Sequence, residues 1–168
     1  YALYNLNKPN EKVPYLCKSS QFYMPCINQE PMLIEKVRKD LQTLTQKSVS
    51  DCFSKLITEM KKTSSVSEEG TLDYNMVLSE GYVIARMNKK IIIKKGETQN
   101  VFEKFETKLQ SPLYNLINTA RQIVNFESEL CEFNEINWMM YFKDISIDKF
   151  TSSDQTKIYT LKDRATEK

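Results

Sequence analysis

The chain has 168 residues, of which 40% are hydrophobic and 27% are charged, and its formal net charge is +2. This composition is typical of a folded domain and excludes a disordered polymer. The three glycines are too scattered for a phosphate-binding loop, and the absence of histidine excludes histidine-dependent catalysis and histidine-ligated zinc. We therefore expect a protein that is not an enzyme and that holds no cofactor and no metal.

Residues 1–30 predict an extended arm rich in proline and aromatic side chains, and residues 31–168 predict a single α+β domain. The arm carries more apolar surface than a solvated tail needs. Such a segment is expected to lie in a groove or to bind another protein in extended form. Its candidate partner-binding residues are Tyr15, Phe22 and Tyr23.

Residues 31–62 predict a long amphipathic helix that begins near Pro31. The apolar spacing slips near residues 48–50, where a bend and an unbroken helix are both compatible with the pattern. The segment contains seven basic and four acidic residues. We interpret the basic side as a solvated helix face, with nucleic-acid contact by Lys36, Arg38 and Lys39 as the alternative.

Residues 72–95 predict an antiparallel β-meander with turns at Glu80-Gly81 and Asn88-Lys89. The basic stretch 82–96 admits three interpretations: a nucleic-acid-binding strand, a strand with a catalytic lysine, or a solvated hairpin. We favour the hairpin, because the net charge is small and lysines commonly protect exposed strand edges. Alternation then directs Ile91 and Ile93 to the core. The nucleic-acid alternative uses Arg86, Lys89, Lys90, Lys94 and Lys95.

The rest of the chain predicts two further helices, over residues 97–110 and 111–133, and then a C-terminal β-hairpin. Ser111 and Pro112 form a helix start signal. Glutamates at the end of the second helix oppose the helix dipole, which suggests a basic partner surface. The aromatic run 138–142 is expected to be a strand, with Trp138 and Tyr141 as candidate partner-binding residues and the core as the other interpretation of Trp138.

The four cysteines have irregular spacing and allow two interpretations. They are either free thiols in a reducing compartment or two disulfides in a secreted protein. Cys52 and Cys131 fall on apolar helix faces, so we expect both to be buried and free. No Asn-x-Ser/Thr sequence occurs, and this favours an intracellular location, cytoplasmic or nuclear. The longest apolar run has five residues, which is too short for a membrane span, and we expect no membrane partner.

Helices and strands that occur in separate blocks favour an α+β fold. The expected order is a long N-terminal amphipathic helix, an antiparallel β-meander, two further helices and a C-terminal β-hairpin. The expected function is that of a non-enzymatic protein–protein interaction module, a fragment or subunit of a larger intracellular assembly whose partners are other protein subunits. The alternatives are a nucleic-acid-associated subunit and a secreted two-disulfide effector.

Overall fold

A computed structural model describes residues 2–5, 8–21 and 24–165, and of residues 2–5 and 8–14 it describes the backbone alone. The predicted α+β class and its order of elements are confirmed. The elements are β1 (Ala2–Asn5), β2 (Lys8–Pro14), β3 (Cys17–Lys18), β4 (Ile27–Asn28), α1 (Leu33–Lys61), β5 (Ser65–Ser79), β6 (Tyr82–Lys95), β7 (Thr98–Gln110), α2 (Leu113–Leu130), α3 (Glu135–Tyr141), β8 (Ile145–Thr151) and β9 (Lys157–Asp163).

The chain forms two units, each with its own core. The sheet unit comprises residues 34–114, and the hairpin unit comprises residues 1–33 together with residues 115–168. The boundaries predicted from the sequence, an arm over residues 1–30 and one domain over residues 31–168, stay a prediction.

In the sheet unit, α1 is one continuous helix that packs on the antiparallel sheet β5-β6-β7. The slip in its apolar spacing therefore produces no break. Phe53 and Ile57 of α1 meet Ile91 of β6, which is 1% exposed, and the ring of Phe53 contacts that of Phe105 edge-on at 5.2 Å between centroids. The predicted inward direction of Ile91 and Ile93 is confirmed.

Side chains of α1 cover the outer edge of β5. The Gln42 amide donates to the Tyr74 carbonyl at 2.9 Å and accepts from the Met76 N–H at 3.3 Å, as a neighbouring strand would. Arg38 donates to the Met76 carbonyl at 3.2 Å. Backbone groups left open at a sheet edge invite further pairing, so α1 closes this part of the edge.

Two predictions in this unit are wrong. The stretch 82–95 is a single strand, and the expected turn at Asn88-Lys89 is instead a shift of register inside β6 that bends the strand without ending it. The predicted helix over residues 97–110 is the strand β7. Its apolar spacing suits a helix, but pairing with the whole length of β6 overrides that local preference.

The hairpin unit contains α2, α3 and the antiparallel hairpin β8-β9. The predicted start of α2 is confirmed by a hydrogen bond of 3.3 Å from the Leu113 N–H to the Ser111 hydroxyl. The expected strand over residues 138–142 is wrong, since residues 135–141 form α3. The side chain of Asn134 accepts the Asn137 N–H at 2.9 Å and so caps this helix.

The N-terminal segment is extended, as predicted, but it is paired rather than irregular. The backbones of β1 and β2 form an antiparallel hairpin, and β3 pairs with β4 beside a disulfide between Cys17 and Cys26. An amide hydrogen bond of 3.3 Å joins Asn28 of β4 to Asn125 of α2. The segment therefore has its own short-range order.

Replacement of Phe53 by alanine should lower the free energy of unfolding of the sheet unit by about 3 kcal/mol, because it removes a buried ring and leaves a cavity against Phe105. The matched control is Leu44→Ala on the same helix, where the side chain is 76% exposed and the expected change is within about 0.5 kcal/mol. Urea unfolding followed by far-ultraviolet circular dichroism measures both. Equal losses in the two variants would contradict this packing.

Candidate functional site

The short helix α3 and the residue after it present four large apolar side chains to solvent. We call them the α3 surface: Ile136 (66% exposed), Met140 (67%), Tyr141 (84%) and Phe142 (50%). Ile136 and Met140 are four residues apart and so lie on one side of the helix. Aromatic residues and methionine are enriched in protein interfaces, and contiguous apolar surface is uncommon on monomers.

An aromatic cluster inside the hairpin unit supports the α3 surface. Trp138 stacks on Phe142 with 4.3 Å between ring centroids and lies 5.6 Å from the ring of Phe133. Phe133 is buried and also meets Tyr159 of β9 edge-on at 5.9 Å. The inner side of α3 is thus fixed by packing, and its outer side is held in place as a result.

A buried carboxylate joins α2 to β9 beneath this cluster. Glu127 forms an ion pair of 2.5 Å with Lys157, accepts a hydrogen bond from the Tyr159 hydroxyl, and accepts the Phe133 N–H at 3.0 Å. Lys157 also donates to the Cys131 carbonyl at the end of α2. These contacts neutralise the charge of Glu127 inside the unit.

The network shifts the ionisation of both of its acids. Burial raises the pKa of the Glu127 carboxyl, but hydrogen bonds from Lys157 and Tyr159 outweigh burial, and the pKa lies below its usual value. Burial and the hydrogen bond to Glu127 raise the pKa of the Tyr159 hydroxyl. Tyr159 therefore stays protonated and remains a donor to Glu127.

Some of the glutamates near the end of α2 pair with lysines of the same unit rather than with a partner protein. Glu127 binds Lys157, and Glu135 lies 3.8 Å from Lys149, whereas Glu129 and Glu132 are exposed. Sequence reasoning missed the role of Glu127. Its position three and four residues after the buried Val124 and Ile123 was the available signal, because it places the carboxyl on the apolar face of the helix.

The predicted partner-binding residues have different environments. Tyr141 is exposed on the α3 surface, Trp138 is half-buried beneath it, and Tyr15 is half-buried in the N-terminal segment. Phe22 and Tyr23 lie outside the described residues. The structure thus brings Trp138 and Tyr141 together on α3, and their role in binding stays a prediction.

At least five of the eight residues of the nucleic-acid alternative are paired with carboxylates. The pairs are Arg38–Glu35 (2.6 Å), Lys39–Glu35 (4.0 Å), Arg86–Glu106 (2.8 Å), Lys89–Glu68 (2.6 Å) and Lys90–Glu69 (2.8 Å). Lys36, Lys94 and Lys95 are exposed. Nucleic-acid binding relies on cations that neutralise phosphates, and here protein carboxylates compete for most of them. The nucleic-acid interpretation itself stays a prediction.

The sequence predicts that four strand lysines are solvated. Lys94 and Lys95 are exposed, and the side chain of Lys90 is 41% exposed although it pairs with Glu69. The expectation is wrong for Lys89. The side chain of Lys89 is 16% exposed and binds Glu68, which also binds Lys61 of α1 at 2.9 Å. Hydrogen bonds from Lys89 and then Lys61 lower the pKa of the Glu68 carboxyl. Lys89 therefore helps to join the sheet to α1.

An open depression of about 450 Å³ lies where the register of the sheet shifts. It is lined by Glu69, Thr71, Asp73, Asn88, Lys89, Lys90, Glu103 and Lys104. Lysines and carboxylates alternate around it, so neither sign of charge dominates. Within the part of the chain that the structure describes, no group of three or more acidic or cysteine side chains is placed to hold a metal ion.

The cysteines differ from both predictions. Cys17 and Cys26 form a disulfide, so the four cysteines are not all free, and Cys52 and Cys131 are free, so there are not two disulfides. Both free thiols are exposed, and the expectation that they are buried is wrong. Cys52 lies beside the buried Phe53, but the helix turns its side chain outward.

Across the described ranges, no helix has the length and apolar character needed to cross a membrane. No protein-family model matches the chain, and no curated protein or solved structure is significantly similar to it. The function must therefore be argued from the surfaces of this chain itself.

Replacement of Glu127 by glutamine should destabilise the hairpin unit at neutral pH, because it leaves Lys157 without its carboxylate. The lowered pKa of Glu127 means that the unfolded chain binds the proton more tightly. The stabilisation is therefore present above about pH 4.3, the usual value for glutamate, and is lost as pH falls through the lower pKa of the folded state. The difference in stability between wild type and variant should shrink in that range.

The fluorescence of Trp138, the single tryptophan, reports unfolding of this unit in urea at each pH. Glu129→Gln is the matched control, since it removes the same charge from an exposed position on α2 and should follow the wild type. A constant gap between wild type and the Glu127 variant from neutral to strongly acidic pH would refute the assignment.

Proposed function

We propose that this chain is a non-enzymatic protein–protein interaction module that binds its partner through the α3 surface. The observation that carries the proposal is the 50–84% exposure of Ile136, Met140 and Tyr141 on one short helix and of Phe142 directly after it, while the other side of the helix is fixed in an aromatic core. Binding would bury these side chains. Burial of apolar area is the dominant favourable contribution in most protein associations.

The rigidity of α3 supports this role. The Asn134 cap, the stack of Trp138 on Phe142 and the packing of Met139 against the core hold the helix in one position. A surface that is already ordered loses little conformational entropy when a partner binds. Loops and short helices on a fixed scaffold are common binding elements for this reason.

The charges near α3 define the expected partner further. The exposed Glu129 and Glu132 precede the helix, whereas Glu135 in its first turn already lies 3.8 Å from Lys149. A partner that fits has an apolar groove with basic residues along its rim. The rim charges would favour encounter more than final affinity.

The compartment is a second part of the proposal. The missing Asn-x-Ser/Thr sequence supports the predicted intracellular assembly, cytoplasmic or nuclear, whereas a Cys17–Cys26 disulfide is typical of an oxidising compartment. We give the disulfide more weight, because an absent sequence motif excludes little. The interaction module would then work in an oxidising compartment.

Replacement of Met140 and Tyr141 by serine should weaken binding to the partner by about tenfold or more, because it removes two exposed interface anchors without touching the core. The partner is first identified by a photo-crosslinking residue placed at position 141. Its affinity for each purified variant is then measured by calorimetry.

Leu44→Ser is the matched control for this experiment, since it removes an equally exposed apolar side chain from α1. A crosslinker at position 44 should not capture the same partner. Equal capture from both positions, or unchanged affinity of the double serine variant, would contradict the proposal.

The redox state is tested by intact mass. Protein purified without reductant from its natural source should weigh two hydrogens less than the fully reduced chain, since one disulfide forms. A thiol reagent should label Cys52 and Cys131 rapidly in the native state, because both are exposed. The mass of the fully reduced chain would contradict the oxidising compartment and would support the reducing compartment predicted from the sequence.

A further inference from the structure

The sheet unit has one covered edge and one open edge. Gln42 and Arg38 occupy backbone groups of β5, whereas β7 is the opposite outer strand of the three-stranded sheet. β7 has 13 residues, no proline, and every residue except Phe105 exposed. The register shift lies in β6, so β7 itself is regular. Edge strands are normally protected by short length, bulges, proline or charged side chains, and of these β7 has only the charges of Glu103, Lys104, Glu106 and Lys108.

Symmetry restricts how two copies of β7 could pair. A two-fold axis between antiparallel edge strands runs perpendicular to the sheet, so each side chain keeps its face. Residues opposite each other must therefore both have odd numbers or both have even numbers, because side chains alternate along a strand. It follows that one residue of β7 lies opposite the same residue of the second copy. We call this residue the centre of the register.

Charge and paired length together select among these registers. A centre at Lys104 sets that lysine against its own copy, and a centre at Glu106 sets two glutamates together. A centre at Phe105 instead places Lys104 opposite Glu106 of the second copy, twice. It also places Val101 opposite Leu109 twice, residues that are 48% and 68% exposed. A centre at Thr107 also sets opposite charges together, Glu106 with Lys108, but it aligns only residues 104–110.

Contacts already present within one copy extend this arrangement. Arg86 of β6 binds Glu106 at 2.8 Å, and Asn88, which pairs with Lys104 in the sheet, donates to Asp73 at 3.2 Å. With the centre at Phe105, one row across the joined sheet contains Asp73, Asn88 and Lys104 of one copy, followed by Glu106 and Arg86 of the other. Opposite charges are neighbours at the junction, where the row would otherwise end.

We propose that the open edge of β7 pairs with β7 of a second copy of this chain, antiparallel and centred on Phe105, to form a continuous six-stranded sheet. Backbone hydrogen bonds along residues 100–110 supply the contact, and the two Lys104–Glu106 pairs fix its register. This interface lies in the sheet unit and does not use the α3 surface, so the two proposals stand independently.

The test uses charge reversal in the full 168-residue chain and sedimentation equilibrium. Lys104→Glu faces Glu106 of a second identical copy with a like charge, and Glu106→Lys does the same with Lys104. Each variant alone should dimerise about tenfold or more weakly than the wild type. A 1:1 mixture of the two variants restores opposite charges at both positions and should recover the dimer. Lys95→Glu, an exposed reversal outside the paired residues, is the matched control.

Three outcomes would overturn the proposal. The first is a wild-type chain that remains a monomer up to about 1 mM. The second is full dimerisation of both charge variants, which would place the contact elsewhere. The third is a mixture that does not recover the dimer although circular dichroism shows both variants folded, which would exclude this register. In the first case, an unrelated extended peptide that binds β7 would assign the edge to a different partner.

Discussion

Backbone groups at the edge of a sheet need hydrogen-bond partners, and the two edges of the sheet unit differ in how they obtain them. At β5 a glutamine amide and an arginine of α1 take the place of a neighbouring strand. This single arrangement explains why α1 carries Arg38 and Gln42 four residues apart, since both must reach the same stretch of β5. It also leaves β7 as the edge at which further pairing can occur.

Buried polar groups in the hairpin unit also have hydrogen-bond partners, and these partners lie within the unit. Glu127 is buried but accepts from a lysine, a tyrosine and a backbone N–H, so its charge is fully used inside the unit. Lys149 likewise donates to the Phe133 carbonyl at 3.2 Å and lies near Glu135. Apart from Asn137, the exposed side chains of α3 are apolar, and this supports the proposal of a protein partner.

The sequence predicted the structure correctly where the apolar residues followed a single spacing or where a turn residue such as glycine marked the end of a strand. α1 follows helical spacing over eight turns apart from the slip near residues 48–50, and Gly81, with a φ of 76°, suits the tight turn between β5 and β6. β7 was missed because its apolar residues fit helical spacing as well as strand alternation, and pairing with β6 determines that the segment is a strand. α3 was missed because seven residues give little periodicity beyond the Asn134 cap. The Glu127 network joins residues 30 and 32 positions apart, which no local pattern reveals.

Internal pairing occupies several of the 24 basic residues of the chain. Arg38, Arg86, Lys89 and Lys90 each have a carboxylate within 3 Å, so a phosphate would have to displace an existing partner to bind them. Phosphate binding gains from the release of counterions and weakens steeply as salt rises. Burial of the α3 surface gains from removal of apolar area from water and does not weaken in this way. The pairing of charges within the fold thus makes these four cations less available to phosphates and leaves the exposed apolar side chains of α3 unaffected.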